Sequence, residues 1–445
     1  MNWVSSITRS EVIHTTLRWL GTVASGILSS AAGMITGIMI ARALGPEGRG
    51  ELAHLMFWPG LIQAIATLGL PSAILAEAAH GNKNRKDLVS KVLMSTAIVS
   101  CLDVVLSTAF FMILMKFDER YLVSLVYTAI ILPAHLLSQN LLSVTNGYGE
   151  IKTLNIYRIA PHVTILVCSI FLFLFGILNI TTIMSTYVIG TWAVAIIRYA
   201  QDFDTNFTSS LPGSINLIRN GMFLHLAGII NIFRDQFDKF IAVTLLPFDQ
   251  IGIYFVAVTL ATAPITVTIG SLSSIIAPAI GTNETYPDKI ECFCRYSRVS
   301  LLFGLVISCA FVFILPIIVH IILGENYESA ISVSQILGIS AVAACIRGVM
   351  NTGLIVLKDW RLQSSNEALA FIALAPAPLF AYYYGSMGLA MVTLFSALVS
   401  LIFCISQITK KFNIPVHMLI GSAQVFKNDF SPFISILRGS RIRNY

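Results

Sequence analysis

From Trp19 onward the chain is a series of long apolar runs, each broken by a short polar or glycine-proline segment. A helix rises 1.5 Å per residue and needs about 20 apolar residues to cross a ~30 Å hydrocarbon core. Runs meeting that length fall at 19–40, 52–75, 90–115, 122–145, 159–178, 181–199, 222–246, 251–277, 299–322, 329–353, 363–384 and 387–408. Asn179, Thr181 and Thr182 split the closely spaced fifth and sixth runs, and Gly385 and Ser386 split the eleventh and twelfth. The pattern predicts an all-α, polytopic membrane protein of about twelve transmembrane helices. The first run has no small-residue cleavage site ahead of a soluble domain, so it is expected to remain as the first helix.

Composition sharpens this. Apolar residues make up 56% of the chain and charged residues 11%, with a mean hydropathy of +0.81. A typical soluble domain carries about 25% charged residues, and a soluble fold of this size could not cover its surface with so few. The seven cysteines are scattered, mostly inside apolar runs, where a free thiol behaves as a small hydrophobe. Cys292 and Cys294 lie close together, but no other Cys or clustered His accompanies them to make a metal site.

Charge then sets direction, because Lys and Arg are retained on the cytoplasmic side. With the N-terminus inside, 21 of the 28 Lys and Arg fall on inner segments, 4 on outer segments and 3 within helices. That split predicts cytoplasmic N- and C-termini, and it points to anionic membrane headgroups rather than to nucleic acid.

A weak repeat follows. Shifted by 201 residues, Ala41, Leu44 and Pro46 meet Ala242, Leu245 and Pro247, Arg18 meets Arg219, and one residue of slip brings Gly50 onto Gly252. Both segments end a long helix, turn at proline and re-enter the membrane. Parallel halves of this kind are a known transporter design. The expected organisation is a six-helix lobe over 1–200, a cytoplasmic linker over 201–220, a second six-helix lobe over 221–408, and a cytoplasmic or surface-lying tail over 409–445.

The segment Ala41 to Leu52, ARALGPEGRGEL, resembles the first outer loop of Wzx-type polysaccharide exporters, in the multidrug/oligosaccharidyl-lipid/polysaccharide superfamily. Asp238 to Tyr254, DKFIAVTLLPFDQIGIY, is similar to the family's pattern at the start of its second half. Leu323 to Ala330, LGENYESA, is similar to its loop after the ninth helix. The resemblance covers the twelve predicted helices. It implies two pseudo-symmetric six-helix lobes around a central cavity that opens alternately to each side, and a cargo of saccharide on polyprenyl pyrophosphate. Members often have fourteen helices; this chain is expected to stop at twelve.

The chemistry-bearing residues are those inside spans. A charge at mid-bilayer costs about 2.5–3.5 kcal/mol on insertion scales, so it normally faces a wet cavity or a partner. The seventh run holds Asn231, Arg234, Asp235, Asp238 and Lys239. At 3.6 residues per turn, positions 231, 234, 235 and 238 share one stripe, with Arg234 roughly 20 Å from the cytoplasmic end. A guanidinium makes paired bonds to phosphate oxygens and never loses its charge, which makes Arg234 a candidate pyrophosphate ligand. The alternative is that Arg234 and Asp238 neutralise each other at i, i+4.

Two acids and two bases leave helix seven neutral, so anion capture needs another arginine. Arg347, with Asn351 one turn below and no acid in its own run, is the first choice; snorkelling to the inner headgroups is the alternative. Arg18 at the inner mouth of the first run is either a headgroup contact or an ordinary basic flank. Arg42 and Arg49 read as stabilising the outer loop. Asp103 is the one intramembrane acid of the first half and a candidate carrier of a coupling proton, or else a structural tie to Lys239 or Arg234. His135 and Gln139, at i, i+4, line the same cavity or bond a neighbouring helix. Trp19, Trp58, Trp192 and Trp360 read as interface anchors.

Among enzyme signatures, no Walker loop, His-Glu-x-x-His or Gly-x-Ser-x-Gly occurs. No enzyme activity and no cofactor are expected, with H+ or Na+ as a coupling ion. Expected partners are the lipid-linked saccharide, membrane lipids and a polysaccharide polymerase. Two rival readings remain: an ion-coupled multidrug exporter of the same superfamily, and a membrane glycosyltransferase or polymerase. No outer loop here exceeds about a dozen residues, whereas such enzymes usually devote a large one to catalysis.

Overall fold

In the computed structural model the described residues are 9–79, 85–116, 118–202, 211–281 and 285–421. They form thirteen α-helices: α1 (Arg9–Ala66), α2 (Leu70–Ala79), α3 (Arg85–Leu114), α4 (Tyr121–Gly147), α5 (Ile151–Leu174), α6 (Ile180–Asp202), α7 (Leu211–Leu245), α8 (Phe248–Gly281), α9 (Tyr286–Ile318), α10 (Glu328–Val356), α11 (Trp360–Ile372), α12 (Ala377–Phe412) and α13 (Val416–Ile420). By length and composition, eight helical stretches among these residues can cross a membrane. One of them, Ala24–Ala79, is 56 residues long and holds two of the predicted runs, folded at Gly45. The all-α polytopic architecture is as the apolar pattern predicts.

The breaks have local causes. Thr182 and Asn179 cap the start of α6 reciprocally: the Thr182 hydroxyl accepts from the Asn179 amide and Asn179 Oδ1 accepts from the Thr182 amide, both at 2.9 Å. Thr285 caps α9 by accepting from the Asp288 amide, with Pro287 in the first turn. Gly385 interrupts α12 at φ 59°, ψ −141°, a region closed to other residues, so the run divides where its glycine stands. Two further breaks lie inside predicted runs, at 67–69 and 373–376. Pro71 follows the first and Pro376 closes the second, and a proline withholds a helical N–H and restricts the residue before it. The polar stretch expected as a linker is partly helical, since α7 begins at Leu211. Most of the tail, 422–445, lies outside the described residues, as do 203–210 of the linker.

Contacts divide the chain into two compact units: Met1–Val256 with Ile322–Tyr327, and Ala257–Ile321 with Glu328–Tyr445. In the first unit α7 packs on α1, α2 and α3. Its core includes Leu70, Ile74, Leu88, Val92, Leu132 and Leu136, all fully buried. Hydroxyls supply bonds between helices: Ser124 donates to the Leu55 carbonyl at 2.9 Å, Ser95 to the Ser214 carbonyl at 3.1 Å. In lipid, where apolar burial between helices gives little, small residues and such bonds carry the packing. Trp58 is not an interface anchor. It is buried among Phe57, Phe110 and Phe240, with ring centroids 5.4–5.8 Å away. Both sites suit its amphipathic ring, and hydropathy alone does not choose between them.

The two repeat segments meet inside this first unit. A Cβ on Gly50 would run into the backbone carbonyl of Phe248, and one on Gly252 into that of Pro46; each would also stand 2.9–3.0 Å from the other glycine's amide nitrogen. The contact is reciprocal under one shift of 202 residues, Pro46 to Phe248 and Gly50 to Gly252. Only residues without a side chain let the backbones approach this closely. Nearby, the buried Tyr327 hydroxyl donates to the Ala41 carbonyl at 3.0 Å.

The second unit is built on Ile276, Phe293, Met350, Leu354, Cys404 and Ile408. The short α13 covers α9, with Arg298 Nη1 donating to the Met418 carbonyl at 2.5 Å. Large apolar side chains face outward from both units, among them Leu102, Val105, Met112, Phe313, Ile321 and Ile402. Such a surface suits lipid rather than water.

Candidate cargo-binding site

The α7 stripe forms as the helical period predicts, because α7 runs unbroken from Leu211 to Leu245. Its charges pair in a different way from the i, i+4 expectation. Arg234 Nε and Nη2 donate to Asp235 Oδ1 at 2.9 and 2.6 Å. Asp238 Oδ2 accepts the Tyr254 hydroxyl of α8 at 2.7 Å, and Asp238 Oδ1 lies 4.0 Å from Lys239 Nζ. Lys239 also donates to the Asp235 backbone carbonyl at 2.7 Å. Asp238 is therefore fixed from two sides. Asp235 is the loose member, its side chain 59% exposed against 16% for Arg234. Asn231, half-buried one turn earlier, makes no side-chain hydrogen bond among the described residues.

In the second unit Arg347 is buried and held by an acid from the next helix. Its Nη1 donates to Glu367 Oε2 at 2.7 Å, with the two side chains 8% and 14% exposed. Asn351 Nδ2 donates to Glu367 Oε1 at 2.5 Å, and Asn366 Nδ2 to Asn351 Oδ1 at 3.0 Å and to Cys404 Sγ at 3.1 Å. Arg347 is tied into a network over α10, α11 and α12, not snorkelled to headgroups. Nor is it an unneutralised lender of charge. Glu367 is the residue the sequence reading overlooked, although it lies within the eleventh apolar run.

Asp103 is buried on α3, and among the described residues it has no hydrogen-bond or ion-pair partner; neither Lys239 nor Arg234 reaches it. The structural-tie alternative is absent from this arrangement. If Asp103 carries a coupling proton, Asp103→Asn is expected to keep the protein in the membrane and to abolish gradient-dependent transport, read by comparing export with and without an imposed pH gradient. Unchanged gradient dependence would remove Asp103 from coupling.

His135 is half-buried and Gln139 exposed, and neither side chain bonds another helix among the described residues. That bond comes from Asn140, fully buried, whose Nδ2 donates to Thr96 Oγ1 of α3 at 2.8 Å. Arg18 stands in α1, with its side chain outside the described residues. Arg49 Nε is buried without a hydrogen-bond partner among the described residues. A groove of about 800 Å³ between α3, α4 and α6, lined by Leu93, Ser100, Cys101, Val104, Pro133 and Trp192 among others, contains none of the candidate cargo or coupling residues. No group of three or more potential metal ligands occurs among the described residues.

Residues 18–284, more than half of the chain, match the family described as Polysaccharide biosynthesis protein. The chain belongs to this family. No curated protein matches. Among solved structures, a lipid II flippase, MurJ, in an inward closed conformation aligns with a TM-score of 0.68 at 13% identity, covering 96% of this chain and 94% of that one. An inward-facing multidrug resistance MATE transporter of the MOP superfamily aligns with a TM-score of 0.67 at 13% identity, over 89% and 98% of the two chains. A Vibrio cholerae MATE transporter, VcmN, aligns with a TM-score of 0.57 at 16% identity, over 89% and 97%. At these identities the likeness is one of fold. The polysaccharide biosynthesis family member thus has the fold of multi-pass MOP transporters.

Proposed function

We propose that this protein flips a polyprenyl-pyrophosphate-linked saccharide from the cytoplasmic to the outer leaflet of a bacterial plasma membrane by alternating access. The observation that carries the reading is the polysaccharide biosynthesis match over 18–284. Both termini are placed in the cytoplasm on the strength of the lysine and arginine distribution. The protein acts without catalysis; a polysaccharide polymerase working at the outer face would consume what it delivers.

Within the proposal the phosphate contact belongs to Arg234. An anion must displace a carboxylate to reach either intramembrane guanidinium. Displacing Glu367 would strand Asn351 as well as Glu367 in a buried setting, and an uncompensated buried charge costs several kcal/mol. Displacing the exposed Asp235 strands nothing. Arg347 is accordingly assigned to holding α10, α11 and α12 together. The MATE likeness keeps a drug-exporter reading within the same fold, but at 13–16% identity it brings no residue-level support.

In cells lacking this protein, lipid-linked saccharide is expected to accumulate on the cytoplasmic face and surface polysaccharide to fall. Normal delivery of the saccharide to the outer face would refute the proposal.

A further inference from the structure

Two arginines inside the predicted spans are each neutralised, but by different kinds of pair. Arg347 and Glu367 come from separate helices and share their oxygens and nitrogens with Asn351 and Asn366. Arg234 and Asp235 are neighbours on one helix. Adjacent residues on a helix point about 100° apart and do not face each other. Their bond is held by side-chain reach, so a small rotation of Asp235 releases it. The carboxylate has Arg234 as its one side-chain partner among the described residues, and most of its surface is already open.

An unpaired, mostly buried guanidinium is unfavourable, so a carrier that must stand empty between cargoes needs an anion of its own. We propose that Asp235 is the resident counter-ion of Arg234, holding the guanidinium in the empty transporter and yielding its place to a phosphate of the cargo. This inference rests on the proposed function for the identity of the anion. The exchange leaves Arg234 neutralised in both states, while Asp238 stays anchored by Tyr254 and Lys239. Asp235 then sets how tightly cargo is held. With it, phosphate binds against a competitor and can leave; without it, binding strengthens and release slows.

The test uses the purified full chain in detergent, with radiolabelled polyprenyl pyrophosphate as probe and the corresponding polyprenol as control. Asp235→Asn is expected to bind the pyrophosphate roughly 1.5- to fivefold more tightly than wild type, the range for losing a partly exposed competing charge. Polyprenol affinity should not change, and the gain should vanish in Arg234→Ala/Asp235→Asn. If Arg234→Ala weakens pyrophosphate binding but Asp235→Asn leaves it unchanged or weaker, Asp235 is no competitor and the inference fails while the proposed cargo stands. Loss of thermal stability in Asp235→Asn as large as in Glu367→Gln would likewise overturn it, making Asp235 a structural partner. If no form of the protein prefers pyrophosphate to polyprenol, the proposed function fails and takes this inference with it.

Discussion

Alanine at Gly50 is expected to cripple export while the protein remains in the membrane, and alanine at Gly252 to do the same. The Cβ itself is the obstacle: at each position it would meet a backbone carbonyl, Phe248 or Pro46, that cannot rotate aside. Overpacking of this kind costs about 1–3 kcal/mol, enough to move a two-state equilibrium by roughly 5- to 150-fold. The arrangement in which the repeat segments lock together should therefore lose most of its population. A single cysteine at Phe248, in a background without the native cysteines, should become more reactive to an impermeant thiol reagent when Gly50→Ala is added. Gly26→Ala and Gly33→Ala, where an added Cβ meets nothing within 4 Å, are the matched controls. Normal export with unchanged labelling in Gly50→Ala would mean that the close approach is incidental to the transport cycle.

Arg347→Ala is expected to act on stability first. It leaves Glu367 facing Asn351 with its cation removed, in a pair only 8% and 14% exposed. Breaking a buried pair from one side typically costs about 3–5 kcal/mol, whereas replacing both partners with apolar residues is often near neutral. The single variant should accumulate poorly in the membrane and unfold at markedly lower temperature in detergent. Arg347→Met/Glu367→Leu should regain most of that loss and retain export. A stable Arg347→Ala protein that fails only in export would reverse the assignment and return Arg347 to the cargo.

How much of this was legible beforehand differs by residue. The apolar spans follow from run length and several of the divisions between them from Pro46, Thr182 and Gly385, because in lipid the backbone must satisfy itself within each helix; the early starts of α7 and α9 and the breaks at 67–69 and 373–376 did not follow. The repeat pointed to Gly50 and Gly252 as equivalent, but a linear shift carries no information that equivalents touch. Arg234, Asp235 and Asp238 fell on one stripe as helical period requires. Which acid took the guanidinium did not follow, since Tyr254 of another helix competes for Asp238. Glu367 was visible as an acid within an apolar run, and an arginine alone in its helix should have directed attention to it. Asn140 and Trp58 were lost for a shared reason: polar atoms on an apolar helix can serve packing or a boundary, and only the neighbouring helix decides.

The central claim is that this chain moves a lipid-linked saccharide, and vesicles reconstituted with it test that most directly. Polyprenyl-pyrophosphate-linked saccharide is placed in both leaflets, and a membrane-impermeant reagent that cleaves the saccharide is added outside. The account predicts that the inner, protected pool becomes accessible in vesicles containing the protein and stays protected in empty ones, with Arg234→Ala lagging wild type. It would be contradicted if the inner pool stayed protected with wild-type protein while the same vesicles transported an apolar organic cation.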